Sequence, residues 1–227
     1  MRALWKAKLW DITAAFPLIA WFGVVAYACI AELTAVSDWR HAPFDYGTKL
    51  TTAIFATLLI FIFLVRHVPL VRQNDWRAII AGFVGGFAPM SIVVLSRADI
   101  SSSLMLLSTL LTFLGTVASI ICILWLGRSF SILPQARALV TTGPYRFVRH
   151  PLYLSEIITL FGLMMQFKQP WASIAWLFSA VAQFPRMHFE EAILRISFPD
   201  YREYERRVPM VLPRADKQVD KSTTLDG

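Results

Sequence analysis

Apolar runs without charged residues alternate with short polar segments along the first half of the chain. Four such runs occupy residues 12–31, 50–65, 78–96 and 104–126. The first has 20 residues, which is the length that an α-helix rising about 1.5 Å per residue needs to cross a bilayer core of about 30 Å. The pattern therefore predicts four membrane-spanning helices in residues 1–126, the second of them rather short.

The pattern changes in residues 127–213. A segment with several arginines, prolines and glycines, 127–151, leads to two shorter apolar runs, 152–167 and 171–184. As helices these runs reach only about 24 and 21 Å, so we expect a short helical hairpin that crosses a thinned bilayer, leans on its neighbours or does not cross fully. With cytoplasmic helices after residue 184, the chain is predicted to form an all-α integral membrane bundle of about six apolar helices.

Both ends of the chain have a distinct composition. Residues 2–10 mix tryptophan and leucine with lysine, which resembles a short interfacial helix, but a simple anchor for the first span is the interpretation we favour. Residues 214–227 are polar and predict a disordered tail. The first apolar run contains Ala26-Tyr27-Ala28, which resembles a signal-peptide cleavage site, but the run exceeds the usual length of about 7–15 residues, so we expect a retained span.

The composition supports a membrane protein. Hydrophobic residues make up 56% of the chain and charged residues 16%, whereas a soluble domain carries about 25% charged residues. The net charge of +7 would elsewhere favour nucleic acid as a partner, but here the basic residues lie between the apolar runs, where membrane topology explains them better. We therefore expect the membrane, and no nucleic acid, as a partner.

The basic residues concentrate in alternate loops. Lysine and arginine are abundant before the first run and after the second, fourth and sixth runs, and scarce in the other loops. With six crossings, the basic segments all fall on one side, and both termini are predicted to be cytoplasmic. In the third run, Gly82 and Gly86 form a G-x-x-x-G pair that favours close helix packing within the chain, with a homodimer face as the alternative.

Motifs of common enzymes are absent from the sequence. It contains no G-x-G-x-x-G, P-loop, G-x-S-x-G, H-E-x-x-H or C-x-x-C pattern. The histidines are too far apart for a clustered metal centre, and we expect no metal. His188 and Glu191, three residues apart, are an alternative metal pair that a helix would bring to one face.

The segment before the fifth run is rich in residues that suit a binding site. Gly143-Pro144 predicts a turn and Pro151 suits the first turn of a helix, so Tyr145, His150 and Tyr153 should meet at a helix N-terminus. Such an end presents free N–H groups and a partial positive charge, which suit a carboxylate. An interfacial belt of tyrosines beside arginines that set the topology explains the same residues equally well.

A second candidate segment begins where the sixth run ends. Arg186 and Glu190 are four residues apart, so a helix would place both on one cavity, although a surface ion pair is the alternative. Glu191 adds a second acid, and Glu156 lies one turn into the fifth run. A carboxylate beside the bilayer needs a partner, and a cationic ligand is one such partner.

These elements together resemble the isoprenylcysteine carboxyl methyltransferase family and its phospholipid methyltransferase relatives. The resemblance rests on Leu126-Gly127-Arg128-Ser129-Phe130, on residues 139–153 with their Gly-Pro-Tyr-Arg and Arg-His-Pro-x-Tyr elements, and on the later Glu-Glu, Tyr-x-x-Tyr and Arg-Val-Pro. It covers about residues 126–213. One departure is Phe198-Pro199-Asp200-Tyr201, which is one residue shorter than the family's Phe-Gly-x-x-Tyr and suggests a different lid or substrate edge.

The resemblance implies a membrane methyltransferase that uses S-adenosylmethionine, enclosed by the connecting loop, the short helix pair and the C-terminal segment. Arg186 falls on the family's substrate-side arginine. The family's cofactor contacts fall on Gln135, Arg137, Ala138, Leu139, Val140, Tyr145, His150, Pro151, Leu152, Tyr153 and Glu190. Because the spacer between Gln135 and Val140 is abbreviated, Gln135 and Arg137 are the least securely aligned of these residues.

The methyl acceptor stays open between several classes. A lipid-tailed carboxylate of isoprenylcysteine type is the first hypothesis, because Arg186 suits an anion, and a phospholipid amine is the second. A sterol-reductase type of membrane enzyme with a nicotinamide cofactor shares a similar Arg-His-x-x-Tyr element, but the acid pair at Glu190 fits a cation better than a dinucleotide. A non-catalytic membrane scaffold would bind no cofactor at all.

Overall fold

The computed structural model describes residues 2–35, 40, 43–72, 75–131 and 135–212, and these are mainly helical. The predicted tail, 214–227, lies outside the described residues. The helices are α1 (Arg2–Ala35), α2 (Pro43–Val65), α3 (Trp76–Phe87), α4 (Met90–Val93), α5 (Ser102–Leu126), α6 (Pro151–Met164), α7 (Trp171–Ser197) and α8 (Tyr201–Arg207). A two-residue antiparallel ladder joins β1 (Val71–Arg72) to β2 (Gln135–Ala136).

The all-α membrane bundle predicted from the sequence is confirmed. Three helices of the described chain are long and apolar enough to cross a bilayer, namely α1, α2 and α5. α3 and α6 are shorter apolar helices. The core forms where α1, α2, α5 and α6 meet, around buried side chains such as Phe63, Ile123 and Leu152, so the protein is an integral membrane protein built around these four helices.

The first two spans are longer than the apolar runs indicated. α1 is continuous from Arg2 to Ala35, so residues 2–10 extend the first span and do not form the separate interfacial helix that was the less favoured alternative. α2 starts at Pro43, and the second span is therefore not short. Lys49 in its polar first half pairs with Asp45 at 2.9 Å and with Glu32 of α1 at 3.1 Å, which lets the helix continue beyond the charge-free run.

The third apolar run does not form one helix, contrary to the prediction for residues 78–96. α3 ends at Phe87, and α4 is a separate piece of four residues that follows Pro89. Proline has no N–H to donate to the preceding turn and its ring crowds the carbonyl four residues back, so it interrupts a helix. The charge-free length of this run was therefore a poor guide to its helical length.

The last helix pair differs from the predicted short hairpin. α6 spans 14 residues, whereas α7 spans 27 and continues through Pro185 to Ser197. The prediction that the sixth apolar helix ends at residue 184 is wrong, because only the composition changes there. As a result, α7 carries both the apolar residues 171–184 and the charged residues Arg186, Glu190 and Glu191.

Glycine allows α5 and α6 to approach closely. A Cβ on Gly162 would lie 2.7 Å from the backbone nitrogen of Thr112, and Ser108 Oγ donates to the Gly162 carbonyl at 2.7 Å. In α3, the buried glycines are Gly82 and Gly85, and a Cβ on Gly85 would lie 3.2 Å from Arg186 Cδ. α3 thus packs within the chain, as the main interpretation of its glycines expected, but its close contact with Arg186 of α7 is made at Gly85, which is not part of the predicted Gly82 and Gly86 pair.

Candidate functional site

A cleft lies where four parts of the chain meet. They are the end of α5, the connecting segment between α5 and α6, the start of α6 and the middle of α7. Two glycines with positive φ shape the connecting segment: Gly127 (φ 50°) ends α5 and Gly143 (φ 61°) starts a 3-10 turn. A Cβ on Gly143 would lie 2.2 Å from the ring of Trp125, so only glycine fits there. The cleft is lined by Leu126, Phe130, Ser131, Tyr145, Arg149, His150, Leu152, Tyr153, Arg186 and Glu190.

Tyr145, in the 3-10 turn, brings a buried phenol to the cleft. Its backbone carbonyl accepts a 2.6 Å hydrogen bond from Tyr204 Oη, which ties the turn to α8. Its own hydroxyl is buried and has no hydrogen-bond partner among the described residues. Burial raises the pKa of Tyr145 well above its usual value, so the phenol stays neutral and available as a donor.

The start of α6 is held by the C-terminal segment. Pro151 occupies the first turn and His150 precedes it, as the sequence predicted. The backbone N–H groups of Arg149 and His150 donate to the carbonyls of Pro209 at 2.9 Å and Met210 at 3.1 Å. The segment after α8 therefore fixes the entry of the chain into α6, where free helical N–H groups begin.

One wall of the cleft is formed by α7 facing α6. The Arg186 guanidinium lies 4.8 Å from the centre of the Tyr153 ring and donates to Gln183 Oε1 at 3.3 Å. The Tyr153 hydroxyl donates to Glu190 Oε2 at 2.6 Å. Arg186 is only 5% exposed. Its guanidinium, the Tyr153 phenol and the Glu190 carboxylate therefore share a largely desolvated wall, in which their electrostatic interactions are strengthened.

Glu191, next to Glu190 on α7, contacts three basic side chains around the start of α6 and on α7. Its carboxylate lies 3.2 Å from His150 Nε2, 2.8 Å from Arg149 Nε and 3.1 Å from Arg195 Nη2. Burial alone would raise the pKa of Glu191, but the hydrogen bond to His150 and the charge of Arg149 outweigh burial and lower it. Arg195 continues the network to Glu205 at 2.5 Å, which links α7 to α8.

The alternative metal pair at His188 and Glu191 does not form. His188 Nδ1 lies 3.1 Å from the Phe184 carbonyl, and Glu191 is engaged with the basic residues described above. Within the residues that the structure describes, no group of three or more metal-ligating side chains occurs.

The structure brings together half of the residues predicted for the site. Of those named from the sequence, Tyr145, His150, Leu152, Tyr153, Arg186 and Glu190 line the cleft. Pro151 lines a neighbouring apolar groove between α5 and α6 instead. In the described chain, the lining of the cleft does not include Gln135, Arg137, Ala138, Leu139 or Val140.

Gln135 and Arg137 have other roles in the structure. Gln135 pairs with Arg72 in the β1–β2 ladder, and Arg137 lies in a buried ion pair with Asp11 of α1. Sequence reasoning missed the contribution of Phe130 and Ser131 to the cleft, although both belong to or adjoin the Gly-Arg-Ser-Phe motif. Their position three and four residues after the glycine that ends α5 was the available signal.

Comparisons with known proteins agree with this arrangement. Residues 98–200 match the family model for phospholipid methyltransferase. The nickel-cobalt-cadmium resistance protein NccN of Alcaligenes xylosoxydans xylosoxydans is 31% identical over 182 residues, which cover 78% of this chain and 79% of that protein. The cobalt-zinc-cadmium resistance protein CzcN of Cupriavidus metallidurans is 30% identical over 167 residues, covering 71% of this chain and 70% of that protein.

A plant enzyme adds a match with a named reaction. Protein-S-isoprenylcysteine O-methyltransferase B of Arabidopsis thaliana is 34% identical over 111 residues, which cover 44% of this chain and 54% of that protein. The matched family region contains the connecting segment, α6 and α7, which together form most of the cleft. The chain belongs to the family of membrane methyltransferases that includes the phospholipid methyltransferases and the isoprenylcysteine carboxyl methyltransferases.

Proposed function

We propose that this membrane methyltransferase takes its methyl group from S-adenosylmethionine and transfers it to a lipid-like acceptor, in the first place a carboxylate of isoprenylcysteine type. The observation that carries the proposal is the placement of Arg186 and Glu190 one turn apart on α7, where both line the same largely desolvated cleft. One charge suits the cationic cofactor and the other an anionic acceptor. Family membership favours methyl transfer over the reductase alternative.

The groups in the cleft fit the chemistry of the cofactor. Glu190 offers a carboxylate for an ammonium group, and the start of α6 offers N–H groups and a partial positive charge for a carboxylate. The Tyr145 hydroxyl, buried without a partner among the described residues, offers a hydrogen bond. The Tyr153 ring, already beneath the Arg186 guanidinium, provides an aromatic surface of the kind that binds cations.

When bound, S-adenosylmethionine supplies a sulfonium-activated methyl group. The protein's part is then to hold the acceptor close to that group and to exclude water, because such a displacement needs positioning more than covalent catalysis. An ionised carboxylate needs no general base. Arg186 would bind and orient it, while Tyr153 holds the guanidinium from below.

A phospholipid amine is the second candidate acceptor, and Glu156 favours it. Glu156 lies in α6, within hydrogen-bonding reach of Gln183 Nε2 at 3.4 Å, and Gln183 is fully buried and also accepts from Arg186. The carboxylates of Glu156 on α6 and Glu190 on α7 both interact electrostatically with Arg186, and Glu190 lines the cleft. An amine must lose a proton before or during methylation, and an acid in this wall would accept it.

The test is methyl transfer to defined acceptors. Detergent-purified protein is incubated with S-adenosylmethionine labelled in its methyl group and with either a farnesylated cysteine derivative or phosphatidylethanolamine. A carboxyl methyl ester releases methanol in base and an N-methyl group does not, so the product identifies the acceptor. Label on neither lipid, together with no binding of the cofactor, would overturn the proposal, and label on the amine alone would replace the first acceptor by the second.

We also propose that both termini face the cytoplasm, since segments rich in lysine and arginine alternate along the chain with segments that contain few of them. The test uses single cysteines in a background without Cys29 and Cys122. Lys6→Cys and Arg206→Cys should react with an impermeant thiol reagent from the cytoplasmic side, and Ser102→Cys from the opposite side. Labelling of all three from one side would contradict the topology.

A further inference from the structure

Asp11 of α1 lies at the centre of a buried ion cluster that joins three distant parts of the chain. Its Oδ2 accepts from Arg66 Nε at 2.8 Å, directly after α2, and its Oδ1 accepts from Arg137 Nη2 at 2.9 Å, directly after β2. All three residues are at most 6% exposed. Removing one partner of such a buried cluster leaves an uncompensated charge, which is strongly unfavourable. The cluster therefore holds its three segments in a defined arrangement.

A chain of hydrogen bonds leads from Asp11 to the wall of the cleft. Arg137 Nη2 donates to Gln135 Oε1 at 2.8 Å, and the same oxygen accepts from Ser131 Oγ at 3.3 Å. Ser131 lines the cleft. β2, which contains Gln135, also packs against α7, the helix that carries Arg186 and Glu190. An acid at the start of the chain is thus connected to the site through only two intermediate side chains.

Arg137 has donor groups that this cluster does not use. Its side chain is fully buried, and its Nε and Nη1 have no hydrogen-bond partner among the described residues. Unsatisfied buried donors are rare in folded proteins and call for an explanation. Lys8 adds another positive group, since its Nζ donates to the Arg66 carbonyl at 2.5 Å. Three basic side chains therefore lie around a single acid, and the cluster carries an excess of positive charge.

We propose that Asp11 is a positioning residue for the cofactor: it orients Arg137, and through Gln135 and Ser131 it holds one wall of the cleft. Neither Arg137 nor Gln135 lines the cleft itself, so the effect of Asp11 on cofactor binding passes through Ser131. Asp11 lies outside residues 98–200, the part matched by the family model, so the match assigns it no role. The inference rests on the proposed use of S-adenosylmethionine.

The experiment measures cofactor affinity and stability separately. Dissociation constants of S-adenosylmethionine and S-adenosylhomocysteine are measured by calorimetry on the full-length, detergent-purified protein, and the unfolding temperature is measured without either compound. Asp11→Asn should weaken binding at least about ten-fold, as expected for the loss of a charge-assisted contact that orients a donor. The matched control is Glu32→Gln, which breaks the exposed ion pair of the same helix with Lys49 and should leave binding within about two-fold.

Arg137→Lys separates the two roles of the arginine. Lysine keeps a positive charge for Asp11 but lacks the planar guanidinium, whose Nη2 donates to both Asp11 and Gln135. It should weaken binding by a similar factor while lowering the unfolding temperature less than Asp11→Asn does. A purely structural cluster would instead change the unfolding temperature and leave the affinity of the folded protein unchanged.

Double variants show whether Asp11 acts through Arg137. In an Arg137→Gln background, Asp11→Asn should weaken binding no further, whereas in an Arg66→Gln background it should still do so. Equal affinity of folded Asp11→Asn and the wild type, or independent effects of Asp11→Asn and Arg137→Gln, would overturn the inference. If Asp11→Asn does not fold, Arg137→Lys decides, because wild-type affinity in that variant also overturns it.

The failure of this inference differs from the failure of the proposed function. If the wild type binds neither S-adenosylmethionine nor S-adenosylhomocysteine, the proposed function falls and the role of Asp11 falls with it. If the wild type binds both and the Asp11 and Arg137 variants bind them equally well, the proposed function stands and only the role of Asp11 is removed.

Discussion

Tyr153 and Glu190 are joined across the interface of α6 and α7 by a hydrogen bond of 2.6 Å from the phenol to the carboxylate. The bond fixes the orientation of the acid and places the tyrosine ring under Arg186, 4.8 Å from its guanidinium. One side chain of α6 therefore positions both charged groups of α7. This relationship makes the contributions of the acid, the phenol and the base separable by substitution.

Glu190→Gln should weaken the binding of S-adenosylmethionine about 10- to 100-fold, because a charge-assisted contact to an ammonium group becomes a neutral one. The fold should persist, since glutamine can still accept the bond from Tyr153. Calorimetry measures the affinity, and Glu203→Gln on α8 is the control for loss of an acidic charge. Unchanged affinity would remove Glu190 from the cofactor site.

Tyr153→Phe keeps the ring beneath Arg186 and removes only the hydrogen bond to Glu190. Glu190 keeps its charge and loses only the bond that orients it, so affinity for the cofactor should fall, but less than for Glu190→Gln. Combined in one protein, the two substitutions should weaken binding by less than the product of their separate effects, because both act on the same carboxylate. Fully multiplicative effects would show that Tyr153 does not act by orienting Glu190.

Arg186→Lys tests the division of roles on α7. Lysine keeps the charge but lacks the planar fork that binds a carboxylate in two places and stacks on Tyr153. With a carboxylate acceptor, KM for the acceptor should rise about ten-fold or more, while the dissociation constant of the cofactor changes little. Arg206→Lys on the exposed face of α8 is the control. Equal losses for acceptor and cofactor would show that Arg186 serves both.

The spans that the sequence predicted well are those whose ends carry local signals. The fourth run, 104–126, nearly matches α5, because Ser101 caps its start by accepting from the Leu104 N–H and Gly127 ends it. The end of α7 was missed because the composition becomes polar after residue 184 while the backbone remains helical through Pro185. Hydrophobicity reports where a helix leaves the apolar environment, and this differs from where the helix ends.

The candidate site shows the same division between local and distant information. Arg186 and Glu190 could be placed on one face from their spacing of four residues, and the cleft contains both. Arg137 was expected at the cofactor, but its ion partner Asp11 lies 126 residues earlier in the chain. Neither residue has a local pattern that announces the pair, because the contact depends on how α1 packs against the connecting segment.

The close contact of α5 and α6 predicts a large difference between two Gly→Ala substitutions. Gly162→Ala places a Cβ 2.7 Å from the Thr112 backbone nitrogen, and the helices must separate, which should cost about 1–3 kcal/mol. Gly23→Ala in α1 meets nothing within 4 Å and should leave stability unchanged or raise it slightly, because alanine favours a helix. Thermal unfolding in detergent measures both, and equal unfolding temperatures would contradict the packing described here.

Glu205 should make the anchoring of α8 sensitive to acid. The carboxylate pairs with Arg195 at 2.9 and 2.5 Å, and this hydrogen bonding, with the charges of Arg195 and Arg149, lowers its pKa below the usual value.

A lowered carboxylate pKa means that the stabilisation is fully present above the unfolded value of about 4.3 and is lost as the pH falls through the lower, folded pKa. Glu205→Gln should therefore lower the unfolding temperature at pH 7, and the difference from the wild type should shrink below about pH 4. Glu203→Gln, whose partners Arg206 and Arg207 are exposed on the same helix, should change little at either pH. A constant difference at all pH values would mean that Glu205 acts by packing and not by charge, since only the charged contact disappears when the carboxylate is protonated.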